Sequence, residues 1–300
     1  MGALVVTASG EIGTQESSLW APAWPVLGKT VLDRWIKMVQ GLGVGLVSVV
    51  SRDPQEPNRI HTMIEWAKEG VEQILLIVLG SYAEIDLVDL VRFHYQGQHP
   101  VTKVFDQEGP LGVSLMHRGC VLTDQGPADH DGYQPSSRYD FLGYAVRLSS
   151  TVSYRRLVKD ALEGHCGIHP TGTQVRESVW IEPSARVDPS VQIDAPCYIG
   201  AASNIKAGVT IRGCSSVERN CEIDLGTILD HASVLPNTYL APGLYVRESV
   251  VDGTKLEHLG RGVSLDLGTA GLSARIGRRA NPLCRSMRVA DVRRTGAPGR

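Results

Sequence analysis

From Ile181 onward an aliphatic residue returns every six positions: Ile181, Val187, Ile193, Ile199, Ile205, Ile211, Val217, Ile223, Leu229 and Leu235. Ala241 continues the frame less well. The fifth position of each six holds small or medium residues, among them Ala185, Val191, Cys197, Ser203, Val209, Ser215, Cys221, Thr227 and Ser233. The second is often acidic or glycine, as in Glu182, Asp188, Asp194, Gly200, Glu218, Asp224 and Asp230. A helix repeats its apolar face near 3.6 residues and a half-buried strand every two. A strict period of six fits neither. It fits a coil of three flat faces, one six to a face. The leading residue then points inward and stacks on its equivalent in the next coil, the fifth points inward near a corner, and the second lies in a turn. Stacking buries a continuous core that no single coil could form. The spacing predicts a parallel β-helix from about Ile181 to Val246, within a unit spanning 175–267. Cys197 and Cys221 fall at the inward fifth position, where they read as small core residues.

The preceding stretch, 1–165, reads as alternating strand and helix. Ala3–Thr7 is a short apolar strand. Thr30–Leu42 carries a helical stripe of Val31, Leu32, Trp35, Ile36 and Val39, ended by Gly41 and Gly43. Val44–Val50 reads as a strand, His61–Glu69 as a helix, Ile74–Leu79 as a buried strand and Ile85–Tyr95 as an amphipathic helix. Asp124–Arg138 reads as a loop, Tyr139–Leu148 as a strand and Val152–Leu162 as a helix leading into the repeats. This alternation implies an α/β sheet with parallel strands. Trp20, Trp24, Trp35 and Trp66, four of the five tryptophans, read as packing residues, with Trp20 or Trp24 open to a role as an exposed partner contact.

Composition sets wider bounds. The 300 residues are 42% apolar and carry a formal net charge of -2, which gives no general reason to expect nucleic acid as a partner. No apolar run is long enough for a membrane span, and Met1–Thr14 lacks the features of a secretory signal. The six cysteines show no metal-binding or paired spacing, so a reducing, cytoplasmic setting is expected. After Gly268 the period is lost. Arg275, Arg278, Arg279, Arg285, Arg288, Arg293, Arg294 and Arg300 then stand against one acid, Asp291, so 268–300 reads as a basic, disordered tail.

Several segments resemble bacterial sugar nucleotidyltransferases such as mannose-1-phosphate guanylyltransferase and the glucose-1-phosphate thymidylyl- and uridylyltransferases. Pro25-Val-Leu-Gly-Lys-Thr-Val-Leu-Asp-Arg-Trp-Ile36 resembles their P-V-x-G-K-P-x-L-x-x-x-I segment. Ile74-Leu-Leu-Ile-Val-Leu-Gly-Ser-Tyr-Ala-Glu-Ile-Asp-Leu87 resembles their strand, G-D turn and following helix. Gly143-Tyr-Ala-Val-Arg-Leu148 and Val179-Trp-Ile-Glu-Pro-Ser-Ala-Arg-Val187 are also similar. The resemblance covers most of residues 1–250. It implies a Rossmann-like nucleotidyltransferase-type domain followed by a left-handed β-helix of hexapeptide repeats; the left hand comes from the resemblance and not from the spacing.

The resemblance breaks at charged positions. The family's G-G-x-G-T-R loop uses glycine backbone to approach phosphates and an Arg to stabilise charge. Here it reads Gly10-Glu-Ile-Gly-Thr-Gln15, so Gly10, Gly13 and Thr14 remain while Gln15 replaces the Arg. Ala21 replaces the Lys of K-P-L-L-P. Ser81 follows Gly80 where the family has the Asp that holds magnesium; a hydroxyl is a poor ligand for this hard cation. Asp86 reads as a helix cap. Phosphoryl chemistry depends on such charges. The resemblance therefore implies nucleotide contacts at Gly10, Gly13, Thr14, Lys29 and Gly80, no catalytic residue and no metal or cofactor.

The expected role is non-catalytic: binding a nucleotide sugar, or assembling as a homo-oligomer or with an active homologue, in polysaccharide biosynthesis. Three alternatives stay open. One is a working enzyme converting NTP and sugar-1-phosphate to NDP-sugar and pyrophosphate, which would need Mg²⁺. Another is a hexapeptide acyltransferase with His231 as base, although the third place in a six turns that side chain to solvent. The last is a purely structural protein. His165, Cys166 and His169 at the junction lack a carboxylate or second Cys at metal-binding spacing.

Overall fold

The computed structural model describes residues 1–8, 23–44, 46–52, 70–97, 99–117, 120–123, 126–128, 136–268 and 271–275. The expected helix at His61–Glu69, the positions Gly10, Gly13, Thr14, Gln15, Ala21, Trp20 and Trp66, and the tail beyond residue 275 lie outside these.

The first half is a six-stranded sheet with helices packed on it. Its order is Ser136–Asp140, Val101–Asp106, Gly109–His117, Gln73–Leu79, Gly2–Ala8, Leu46–Arg52. Gly2–Ala8 pairs in parallel with both Leu46–Arg52 and Gln73–Leu79. Gly109–His117 runs antiparallel to both its neighbours, so the sheet is mixed, not parallel throughout. The reversal is made at Asp106, whose Oδ1 accepts from the N–H groups of Glu108 and Gly109 at 2.8 and 3.0 Å. Such an Asx turn offers the chain a tight hairpin in place of a crossover helix. The expected strand Tyr139–Leu148 is two strands, Ser136–Asp140 and Ala145–Arg147, and Gly126–Ala128 is a strand within the expected loop.

Three helices are described. Helix α1, Val31–Gly41, starts at a capping box in which Thr30 and Asp33 exchange side-chain to backbone bonds, and it buries Val31, Trp35 and Val39. Helix α2, Leu87–Gln96, is capped by Asp86, which accepts from Val88 N and Asp89 N. Its His94 bonds Thr102 at 2.8 Å and Gln73 at 3.1 Å, tying the helix to the sheet. Helix α3, Thr151–Leu162, buries Tyr154, Arg155, Leu157, Val158 and Ala161. No helix of the described residues is long and apolar enough to cross a membrane.

The second half is a parallel β-solenoid of about four turns. Its inward residues stack as the spacing predicts up to Leu229: Ile181 pairs with Ile199 and Ile199 with Val217, eighteen residues apart. The frame then slips. Val217 pairs with Val234, Ile223 with Leu240, Leu229 with Val246 and Val234 with Val251, each seventeen apart. The expected leader Leu235 is therefore not a stacking position; Val234 is, and Ala232 rather than Ser233 fills the small inward place. The missing residues come out of two corners, at His231 and Glu248, where φ is 52° and 46°. One left-handed residue turns each short corner. The equivalent full-length corner in the coil before uses two, Gly213 and Cys214.

The two halves share one hydrophobic core. Trp24, Val26, Leu27, Tyr154 and Leu157 pack in the same cluster as Tyr198, Cys214, Leu235 and Val250 of the solenoid. Leu235 is fully buried here, not in the solenoid interior. Tyr198, Ser216, Ser233 and Val250 are register partners on the outer side of one solenoid face, and all are buried. Trp24 stacks edge-on against Tyr154 at 4.9 Å and is not exposed.

Candidate functional site

In open α/β sheets ligands bind beyond the carboxyl ends of parallel strands. Here those ends are Ala8, Arg52 and Leu79, and the last runs into Gly80 and Ser81. Gly80 is exposed, with nothing within 4 Å of where a Cβ would stand. The chain then turns away to pair Ser81–Ala83 antiparallel with Ala145–Arg147, and Gly80 O accepts from Leu148 N. Ser81 is buried. Its hydroxyl donates to Leu111 O at 2.7 Å, and its carbonyl accepts from Trp35 Nε1 at 3.3 Å. The strand end thus leaves open space on the side of Gly80 where a Cβ would stand, while the Gly80 carbonyl is held by Leu148 N and Ser81 is occupied in joining the sheet to α1. A Ser so bound does not fit Mg²⁺, which takes carboxylates and water.

Lys29 lies in a small hairpin of Pro25–Val26 and Lys29–Thr30. The turn of this hairpin is docked on the solenoid. Leu27 N and Gly28 N donate to the two carboxylate oxygens of Glu218 at 2.9 and 3.1 Å. Gly28 has φ +96°, and a Cβ there would run into the Thr171 hydroxyl and stand 2.6 Å from that of Tyr198. Only glycine fits. Tyr154 Oη donates to Pro25 O at 2.7 Å, and Arg34 to Val26 O at 2.7 Å. The segment that resembles a nucleotidyltransferase motif therefore serves here as the joint between the halves, with the exposed Lys29 at its rim. Burial pushes the Glu218 carboxyl up to about 7 against the two N–H donors, which pull it down. Glu218 occupies the second, turn position of its six, and its partners lie about 190 residues away, beyond any local signal.

The solenoid presents a second cluster. His231 Nδ1 meets Asp230 Oδ1 at 2.8 Å, and the ring is about half exposed, as its place in the repeat predicted. Asp230 Oδ2 accepts from Tyr245 at 3.0 Å and from Arg212 at 3.2 Å. Burial works against the Asp230 charge, but His231, Tyr245 and Arg212 outweigh it and hold the carboxyl below its ordinary value. His231 also has a backbone reason to be there, since histidine is among the residues that tolerate a left-handed corner. Arg155 of α3 reaches this corner, donating to His231 O at 3.2 Å, Gly213 O at 3.3 Å and Cys214 O at 2.7 Å.

At the junction the expectation of no nearby carboxylate is corrected. Asp160, Glu163 and His165 bring ligand atoms within 4.8 Å of one another. These acids already have partners: Tyr144 and Arg156 on Asp160 at 2.7 and 3.6 Å, Cys214 and Lys159 on Glu163 at 3.3 and 3.9 Å. The five described cysteines are free thiols.

No protein-family model matches the chain, and no curated protein matches its sequence.

Proposed function

We propose that this protein binds a nucleotide sugar without turning it over, its first half being a nucleotidyltransferase-type fold emptied of catalytic charge and its solenoid being left-handed. The observation that carries this reading is Ser81. It stands where the resemblance calls for a magnesium ligand, and its hydroxyl is committed to Leu111 O, next to Gly80 with its open Cβ side. Phosphate contacts through backbone N–H groups need no metal. Transfer of a nucleotidyl group needs the charge that is missing. The protein acts in the cytoplasm of polysaccharide-producing cells, as a sensor or as a companion of an active relative.

Calorimetric titration with GDP-mannose, UDP-glucose, dTDP-glucose and GTP, each with and without Mg²⁺, tests it. Saturable binding of one nucleotide sugar, insensitive to Mg²⁺ and without pyrophosphate release from NTP and sugar-1-phosphate, is the expected result. Mg²⁺-dependent binding with pyrophosphate release would overturn the reading in favour of an enzyme. Absence of any binding would leave only an assembly role.

A second reading, acyl transfer at the solenoid, is favoured by the Asp230–His231 pair, in which Asp230 would orient the ring for its outer nitrogen to act as general base. It requires acyl-CoA or acyl-carrier turnover that disappears in His231→Ala; turnover unchanged by that substitution removes the mechanism.

A further inference from the structure

We propose that the first-coil end of the solenoid is the face through which two copies of this chain associate, end to end about a two-fold axis. The two ends differ. At the last coil Ser273–Arg275 pairs antiparallel with Thr238–Leu240, Lys255–His258 folds back on Ser249–Asp252, and Leu267 packs against the solenoid core. At the first coil only one of the three faces is extended, by the strand Thr173–Arg176 against Val179–Ile181. The other two faces end at Arg186–Val187 and Gln192–Ile193, with nothing beyond them among the described residues.

The cost of that open end is visible in burial. Ile205 and Ile211 are almost wholly buried, whereas Val187 and Ile193, which they stack on, are only half-buried. Backbone groups are open as well. The N–H groups of Arg186, Asp188, Gln192 and Asp194 donate to the second coil. By the alternation of a parallel ladder, Val187 and Ile193 turn theirs the other way. Stacked coils need their terminal faces closed, and free strand edges invite pairing.

The shape and charge of this end choose the occupant. The projecting strand forms a lip beside an open depression of about 610 Å³, lined by Val187, Val191 and Ile193, with Arg176, Asp188 and Asp194 around them. Arg176 reaches from the lip to Ile193 O, and the neighbouring Val175 is 55% exposed. One face thus carries an apolar centre, a projecting lip, a cation and two anions. Such a face suits pairing with its own copy, in which each lip would enter the other copy's depression and each Arg176 would meet the other copy's Asp188 and Asp194. A partner of single charge sign would leave part of this rim opposed by like charge. The association is independent of nucleotide binding in the first half.

Sedimentation velocity on the full chain across a hundredfold concentration range tests the proposal. The wild type is expected to shift from the 32.5 kDa monomer to twice that mass. Arg176→Glu should weaken association at least tenfold, and the double change Arg176→Glu with Asp194→Arg should restore it, with circular dichroism unchanged in both. Hydrogen exchange at the amides of Val187 and Ile193 should slow as concentration rises. A wild type that stays monomeric, a dimer indifferent to Arg176→Glu, a double variant that fails to recover, or protection at Val187 and Ile193 independent of concentration would each overturn it; the last would assign the end to a segment of the same chain.

Discussion

Glu218→Gln tests the joint between the two halves, and its effect should reverse with pH. In the wild type, two buried N–H groups from the Leu27–Gly28 turn converge on the Glu218 side chain, which is 0% exposed. The carboxyl rises from 4.5 to about 7 on folding, which corresponds to roughly 3 kcal/mol at 25 °C. Because the folded value lies above the unfolded one, the group's favourable contribution is complete below pH 4.5. It is lost as pH rises through about 7, and above that the native state carries a buried charge. Glutamine cannot ionise. Its oxygen accepts from one N–H while its amide donors face the other, at a cost of about 1–3 kcal/mol. Urea unfolding of both proteins at pH 4.5, 6 and 8 should therefore find the variant less stable at pH 4.5 and level with, or above, the wild type at pH 8. The difference between the two should change by roughly 3 kcal/mol across that range. Taking the difference cancels the acids that titrate the other way, such as Asp106 and Asp230, whose values are lowered in the fold. A difference that stays flat from pH 4.5 to 8 would refute the reasoning, since it would mean that Glu218 titrates as if unburied.

Gly28→Ala should cost about 2–5 kcal/mol through its positive φ and overlap with Thr171 and Tyr198, read as a lower melting temperature and faster proteolysis between the halves. An unchanged melting temperature would mean the turn has room to move. Arg155→Met should cost about 2–4 kcal/mol by leaving the carbonyls of Gly213, Cys214 and His231 without their donor, with amide exchange near His231 speeding up. Equal exchange in variant and wild type would show that the corner holds itself. Cys197 and Cys221, fully buried with thiols pushed up to about 12, should resist labelling by a disulfide reagent at pH 8 until the protein unfolds; mass spectrometry of labelled peptides reads this, and rapid native labelling would contradict the packing.

The solenoid was legible because its signal is local and repeated: each inward residue declares itself within six positions. The slip after Leu229 was not. Leu235 kept the period of six alive to the eye, yet it is buried for a different reason, facing the shared core and not the solenoid interior. The helix at Val31–Gly41 was legible from its apolar stripe and the glycines that end it, the helix at Thr151–Leu162 from its place before the repeats, and Asp86 as a cap. The antiparallel strand Gly109–His117 was missed because its Gly and Pro residues mask the alternation and its hairpin competes with an expected crossover. Of the site residues, Lys29, Gly80 and Ser81 can be placed, and only the structure tells that the Ser81 hydroxyl is already in use. Glu218 looked like one more turn acid because its meaning lies in a partner from the other half of the chain.

Both short corners, at His231 and Glu248, lead into the same face, the one that meets the first half. In this solenoid the two places where chain length has changed stand one above the other in a single column of corners. A residue removed inside a flat strand would swap inside for outside along its remainder, whereas a residue removed at a corner merely resets where the next strand begins. The column of corners beside Arg155 is therefore the solenoid's tolerance joint. Deletions and insertions introduced there should be absorbed with the downstream strands intact, and the same changes one or two residues into a strand should not.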